Sequence, residues 1–253
     1  MAEEETGVYI YGILPADVET DPRARGIGDP PGKVAVVKHN EIAALVSHLG
    51  AVDALGTPDD LTAHAELLDA AASEVPVLPL RFGAVVTDED AVVDELLAPH
   101  HDEFAAALAE LEGKAQYVLK ARHIEENVLR ELIDGDAEMS QLRDAIRGKP
   151  EDATRNERIA LGERIGQAIA ALREQDTQYV VEALEPLNLP INLREPTHDE
   201  DAVHLAFLVD VAKRDDVEAA LERLAQEWQD RARVSLLGPM AAYDFVVTQK
   251  PGT

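Results

Sequence analysis

The apolar positions of this chain change period along its length, and those changes predict its elements. Val8-Tyr-Ile-Tyr-Gly-Ile-Leu14 is rich in β-branched and aromatic residues and is closed by Pro15, which predicts a first strand. A loop containing Pro22, Gly26, Gly28, Pro30, Pro31 and Gly32 follows. Residues 34–38 and 42–46, separated by His39-Asn-Glu41, predict a hairpin. Leu61, His64, Ala65, Leu68, Ala71 and Ala72 share one face at helical spacing, with Thr57, Pro58 and Asp59 placed to start the helix. Thr87-Asp-Glu-Asp90 supplies a capping box for a second helix, whose face is Val92, Val93, Leu96 and Leu97 and which ends at Pro99. Phe104, Leu108 and Leu111 mark a third that stops at Gly113, and residues 115–121 read as a returning strand.

From Ile124 the period becomes 3.6 and stays there. Stripes at Ile124, Val128, Leu129, Leu132 and Ile133, then at Met139, Leu142 and Ile146, close at Gly135 and Gly148. Leu161, Ile165, Ala168, Ile169 and Leu172 predict a long helix, and Val180, Val181 and Leu184 a short one. Alternation returns at residues 187–194, where Pro190 demotes the strand to an edge. In the next strand Val203, Leu205, Phe207, Val209 and Val211 share a face. Val217, Leu221, Leu224 and Trp228 lie along an amphipathic helix, and residues 233–237 and 243–247 close the chain as strands. The fold class is therefore α+β in two domains. Residues 1–121 form a mainly antiparallel sheet with helices on one face, and residues 122–253 form a helical region followed by a ferredoxin-like layout.

One stretch breaks these patterns. In Val75-Pro-Val-Leu-Pro-Leu-Arg-Phe-Gly-Ala-Val-Val86 an apolar run carries two prolines, each lacking a ladder donor, and a single cation. Two readings stand: a buried edge strand and bend, or a recognition edge anchored by Arg81 and Phe82. In either case the stretch belongs at an edge of the first sheet.

Composition narrows the function. The chain has 253 residues, with 50 Asp and Glu against 23 Lys and Arg, for a formal charge of -27. That charge opposes binding to nucleic acid or anionic lipid and favours neutral, apolar or basic partners. There is no Cys, which removes disulfides, thiolate catalysis and zinc-thiolate sites. The acidic start Met-Ala-Glu-Glu-Glu-Thr6 is not a secretory signal, and no run approaches the 18 or so apolar residues of a membrane span. A cytoplasmic location is expected. Aromatic residues make up only 4% of the chain, so wherever they gather is informative.

Candidate chemistry is thin. His198-Asp-Glu-Asp201 with His204 has metal-ligating atom types, and a metal-dependent hydrolase built on them is the alternative reading. Two His six apart across a turn and a strand do not converge as an i, i+4 pair would. His100-His-Asp-Glu103 reads as a helix start, and His64 as a histidine of an apolar helix face. The Gly26-Ile-Gly28 pair is too short for a dinucleotide fingerprint, and no Ser stands in a nucleophile elbow. The residues make no case for an enzyme and imply no cofactor.

The order of these segments resembles the gas vesicle protein F/L family (GvpF and GvpL). The resemblance rests on Tyr9-Ile-Tyr-Gly-Ile13, on His64 followed by residues 77–83, on Val118-Leu-Lys120, on Phe207-Leu-Val209 and on Gly238-Pro-Met-Ala-Ala-Tyr-Asp-Phe-Val246. Met240, Ala241 and Ala242 stand where the family signature has an aromatic residue and two prolines. The resemblance implies a two-domain α+β accessory or minor structural protein without catalytic activity, located in the cytoplasm with gas vesicles. Its implied partners are the small apolar shell protein and other gas vesicle accessory proteins. On that footing Leu80, Arg81, Phe82, Gly83, Tyr243 and Phe245 are the expected partner-binding residues. A chain this acidic repels itself, so its melting temperature is expected to rise between low and molar salt; a flat or falling series of thermal melts would contradict this.

Overall fold

A computed structural model of the chain describes residues 7–21, 23–50 and 55–246. The acidic start, Pro22 and Val247 lie outside the described residues. The chain divides into two compact units, one of residues 1–117, 208–212 and 237–253 and the other of residues 118–207 and 213–236.

The first unit is organised on β1 (Gly7–Pro15), which is buried along almost its whole length. It pairs antiparallel with β3 (Ile42–Leu49) on one side, and β2 (Val34–His39) lies outside β3. Asn40 takes a left-handed φ of 53°, which allows the tight turn between β2 and β3. On its other side β1 pairs with β4 (Leu78–Pro79) and β5 (Val85–Val86). The proline-marked stretch thus forms an edge of this sheet, as its composition indicated.

Between Ile10 and Gly12 the β1–β3 register slips by one residue, leaving Tyr11 as the bulged position. The slip changes which side chains share a face. Val8, Ile10 and Ile13 enter one core, while Tyr9, Tyr11 and Leu14 enter the other. Strict alternation would have put Ile13 with the tyrosines.

Both faces are covered, so the sheet carries helices on two sides rather than the one that strand patterning suggested. The reason is β1 itself, which is apolar on both faces. The helix α1 (Pro58–Ala72) covers the tyrosine face through Leu68, and its start is fixed by a reciprocal capping box between Thr57 and Asp60. The other face receives Val92, Leu96 and Leu97 of α2, which opens as the turn Glu89–Ala91 and continues as a π-helical stretch Val92–Leu97. Leu108 and Leu111 of α3 (His101–Leu111) complete that core.

The second sheet has the order β7-β8-β6-β9. Its strands are β6 (Lys114–His123), β7 (Ile191–Leu193), β8 (Asp201–Asp210) and β9 (Ala232–Met240). Between β6 and β7 run α4 (Glu125–Gly135), α5 (Ala137–Ile146) and the 30-residue α6 (Arg155–Leu184), and α7 (Arg214–Glu227) joins β8 to β9. Strand, helices, strand, strand, helix, strand is the ferredoxin-like sequence of elements. It includes β6, which pattern alone sent back to the first sheet, because alternation identifies a face and not a sheet. The long and short helices expected before residue 185 are one, since no Gly or Pro interrupts residues 173–179. The expected strand at 243–247 is instead a turn over residues 243–245.

Gly12 marks how tightly the bulge is packed. A Cβ there would lie 2.7 Å from the Leu78 carbonyl oxygen and 3.0 Å from Leu68 Cδ2. Gly12→Ala is expected to destabilise the protein by about 1–3 kcal/mol, the usual cost of overpacking, read as a lower denaturant midpoint; an unchanged midpoint would show that the bulge can relax.

Candidate functional site

Tyr9, Tyr11, His64 and Phe82 converge where α1 crosses the sheet edge. The Tyr9 and Tyr11 ring centroids are 4.8 Å apart, those of His64 and Phe82 are 5.6 Å apart, and Tyr9 lies 5.7 Å from each of the latter two. The helix positions His64 on its buried side, the bulge keeps both tyrosines on one face, and the turn after β4 brings Phe82 over them.

Each phenol is a fastening point. The Tyr9 hydroxyl accepts from the Gly83 N–H at 3.2 Å and lies 2.8 Å from His64 Nδ1. The Tyr9 hydroxyl and Nδ1 share this hydrogen bond, and the tautomer of the imidazole decides which of them donates. Nε2 is buried and has no hydrogen-bond partner among the described residues. Burial lowers the His64 pKa, partly opposed by the Leu80 backbone, so the ring is neutral at pH 7. The Tyr11 hydroxyl accepts from the Ile27 N–H at 2.8 Å and meets Ser47 Oγ at 2.8 Å. Burial raises the pKa of both phenols, which stay protonated.

The six residues expected from sequence all fall in the first unit, in different settings. Leu80 is buried in the same core that Phe245 packs against. Arg81 is exposed and forms no ion pair among the described residues. Phe82 is half-buried on the aromatic cluster. Gly83 has a φ of 98°, a left-handed conformation that a side chain would strain, and it is what lets the turn present its N–H to Tyr9. Tyr243 is 37% exposed, near enough to Tyr9 to affect that phenol electrostatically. The segment carrying it is held by the Ala241 N–H donating to Asp69 at 3.0 Å and by the Asp244 N–H donating to Gln116 at 3.0 Å.

On sequence alone His64 reads as an ordinary core histidine, and nothing local points to Tyr9, 55 positions away, as its partner. The signal was available in the scarcity of aromatics: two of the five tyrosines alternate on one strand.

The acidic cluster at residues 198–204 is occupied with holding a turn. Asp201 accepts from the Thr197 N–H and hydroxyl, the His198 N–H and Arg122 Nε, all within 3.1 Å. His204 Nδ1 donates to the Glu195 carbonyl at 2.8 Å. These side chains are not gathered as a ligand set, and among the described residues no group of three or more His, Asp or Glu has metal-holding geometry. No helix among the described residues is long and apolar enough to cross a membrane.

The chain matches the profile of the family described as "Gas vesicle synthesis protein GvpL/GvpF" over residues 7–247. It is 31% identical over 239 residues to gas vesicle protein F of Streptomyces sp. (strain CB03234), covering 94% of this chain and 98% of that one. Gas vesicle protein F of Dolichospermum flosaquae is 25% identical over 240 residues, covering 94% and 96%. Its fold is similar to the crystal structure of GvpF from Anabaena sp. PCC7120, with a TM-score of 0.77 at 23% identity, covering 97% of this chain and all of that one. The GvpF crystal structure from Microcystis aeruginosa gives 0.72 at 20%, covering 94% and 98%.

Asp201 generates a pH prediction. Burial opposes its ionisation, yet the Thr197, His198 and Arg122 donors outweigh it and hold the pKa at about 2. A carboxyl depressed below its unfolded value of about 3.9 contributes stability fully above that pH and loses it as pH falls toward 2. Asp201→Asn is therefore expected to lower the melting temperature at pH 7 and to flatten its decline between about pH 4 and pH 2, in thermal melts over a pH series. A variant with the wild-type profile would refute the assignment.

Proposed function

The chain belongs to the gas vesicle GvpL/GvpF family, and on that premise we propose that it is an accessory or minor structural component that binds the small apolar shell protein and supports vesicle assembly. The observation that carries the proposal is the extent of the match, which spans residues 7–247 and takes in both units. No catalytic step enters this reading, and its site of action is the cytoplasmic surface of forming vesicles.

The character of the first unit supports it. A partner that is mostly apolar must be met by a surface that stays soluble alone, and a formal charge of -27 provides that. At the sheet edge Arg81 offers a guanidinium with no ion pair among the described residues, beside the half-buried ring of Phe82, and Tyr243 adds a partly exposed phenol. Arg and aromatic side chains are the residue types most often found as binding anchors. Leu80, Gly83 and Phe245 hold that edge in shape.

Co-expression with the shell protein tests both parts. Soluble shell protein is expected to rise when this chain is present, and purified chain should capture it in molar salt. Arg81→Ala and Phe82→Ala should each weaken capture about tenfold or more, the scale of one lost anchor. If shell protein stays equally soluble with and without the chain, the function is wrong. If capture is normal in both variants, the edge is only structural.

A further inference from the structure

A cleft of the first unit lies away from Arg81 and Phe82, between α1 and the loop that follows β1, and its volume is about 1140 Å³. That exceeds the roughly 300–1,000 Å³ of ordinary small-molecule sites. It runs beside α1 from Thr57 to Val75, and the 15 residues of α1 make a wall about 22 Å long. Its floor is apolar: half-buried Val18, Leu67, Ala71 and Val75 lie above the buried Leu14 and Leu45.

Its rim is acidic. Glu19 and Asp29 stand on the loop side and Asp59, Glu66 and Glu74 on the helix side, all exposed and none in an ion pair among the described residues. Of the lining cations, Arg23 is tied to Asp21 at 3.1 Å, which leaves Arg25. Asp60 also lines the cleft, but it is engaged by the N–H groups of Gly28, Gly56 and Thr57 and by the Thr57 hydroxyl. Those bonds join the loop to the start of α1, so the two walls are fixed to each other.

From this geometry we propose that the cleft is a docking groove for an amphipathic helix of another gas vesicle protein, about four turns long, whose apolar stripe is flanked by Lys or Arg. The apolar floor takes the stripe, as in helix-in-groove recognition, and the two acidic margins take the basic flanks. The charges select and steer the partner, while the floor supplies most of the affinity. An acidic or uncharged apolar helix would meet five carboxylates with Arg25 alone to offset them. The proposal takes from the family assignment only the kind of protein that carries the helix.

The probe is a pair of synthetic helical peptides of about 14 residues with the same leucine stripe, one flanked by Lys and one by Glu, with binding to the full chain followed by fluorescence anisotropy. The Lys peptide is expected to bind at least tenfold more tightly than the Glu peptide. Glu66→Lys with Glu74→Lys should weaken it at least tenfold, Glu110→Lys with Glu112→Lys at the end of α3 should leave it unchanged, and Ala70→Trp should abolish it by filling the groove. Circular dichroism of each variant establishes that it is folded.

Equal binding of the two peptides, or binding indifferent to the groove variants, overturns the proposal. So does concentration-dependent self-association abolished by Ala70→Trp, because the occupant would then be a second copy of this chain. The groove and the shell-protein reading fail separately. Loss of shell-protein solubilisation in wild type with peptide binding intact sinks the latter alone. Groove variants that lose the peptide yet retain every gas vesicle partner in pull-down overturn the groove as an assembly surface and leave the shell-protein reading standing.

Discussion

The first unit depends on the bulge at Tyr11. A strand buried on both faces must distribute its side chains between two cores, and the extra residue decides how. It keeps Tyr9, Tyr11 and Leu14 together under α1 and sends Ile13 to the opposite side. Two phenols on a buried face would be costly without partners, so the surrounding loops are arranged to meet them. The Gly83 and Ile27 N–H groups come from two loops, Ser47 from β3 and His64 from α1, and all four meet one of these two hydroxyls. Hydrogen bonding here determines where loops lie, and hydrophobic burial supplies the stability that lets it do so.

Much of this was legible in the residues. The hairpin, the start of α1 at Thr57, the edge position of the proline-marked stretch and the amphipathic α7 all follow from local chemistry, and the structure has each of them. What was not legible depended on distance or on competition. The alternation of β6 shows that it is half or fully buried, but membership of the second sheet is decided by neighbours some 80 positions later. Tyr243, Phe245 and Val246 alternate like a strand, yet the backbone at Ala241 is drawn to Asp69 and that at Asp244 to Gln116, and a turn results. At the candidate site Arg81 and Phe82 stood out because an apolar run rarely carries one cation. His64 did not, because a histidine on an apolar helix face announces nothing until its partner on β1 is known.

The acid excess has different meanings at different places. At Asp60 and Asp201 a carboxylate is a structural acceptor that gathers backbone N–H groups and holds a turn. Along the rim of the cleft it is an unneutralised charge beside apolar surface, and across most of the exterior it serves solubility. On the proposed function the last of these matters most, since a protein that handled very apolar subunits would have to resist joining their aggregates.

The engagement of Asp60 has a geometric outcome. Because one carboxylate grips the loop at Gly28 and the helix start at Thr57, Asp60 sets the aperture of the cleft together with the Tyr11 hydroxyl that holds Ile27. A cap that satisfies helix donors thus also acts as a spacer between the two walls, and lengthening it by one methylene, to Glu, would shift them apart.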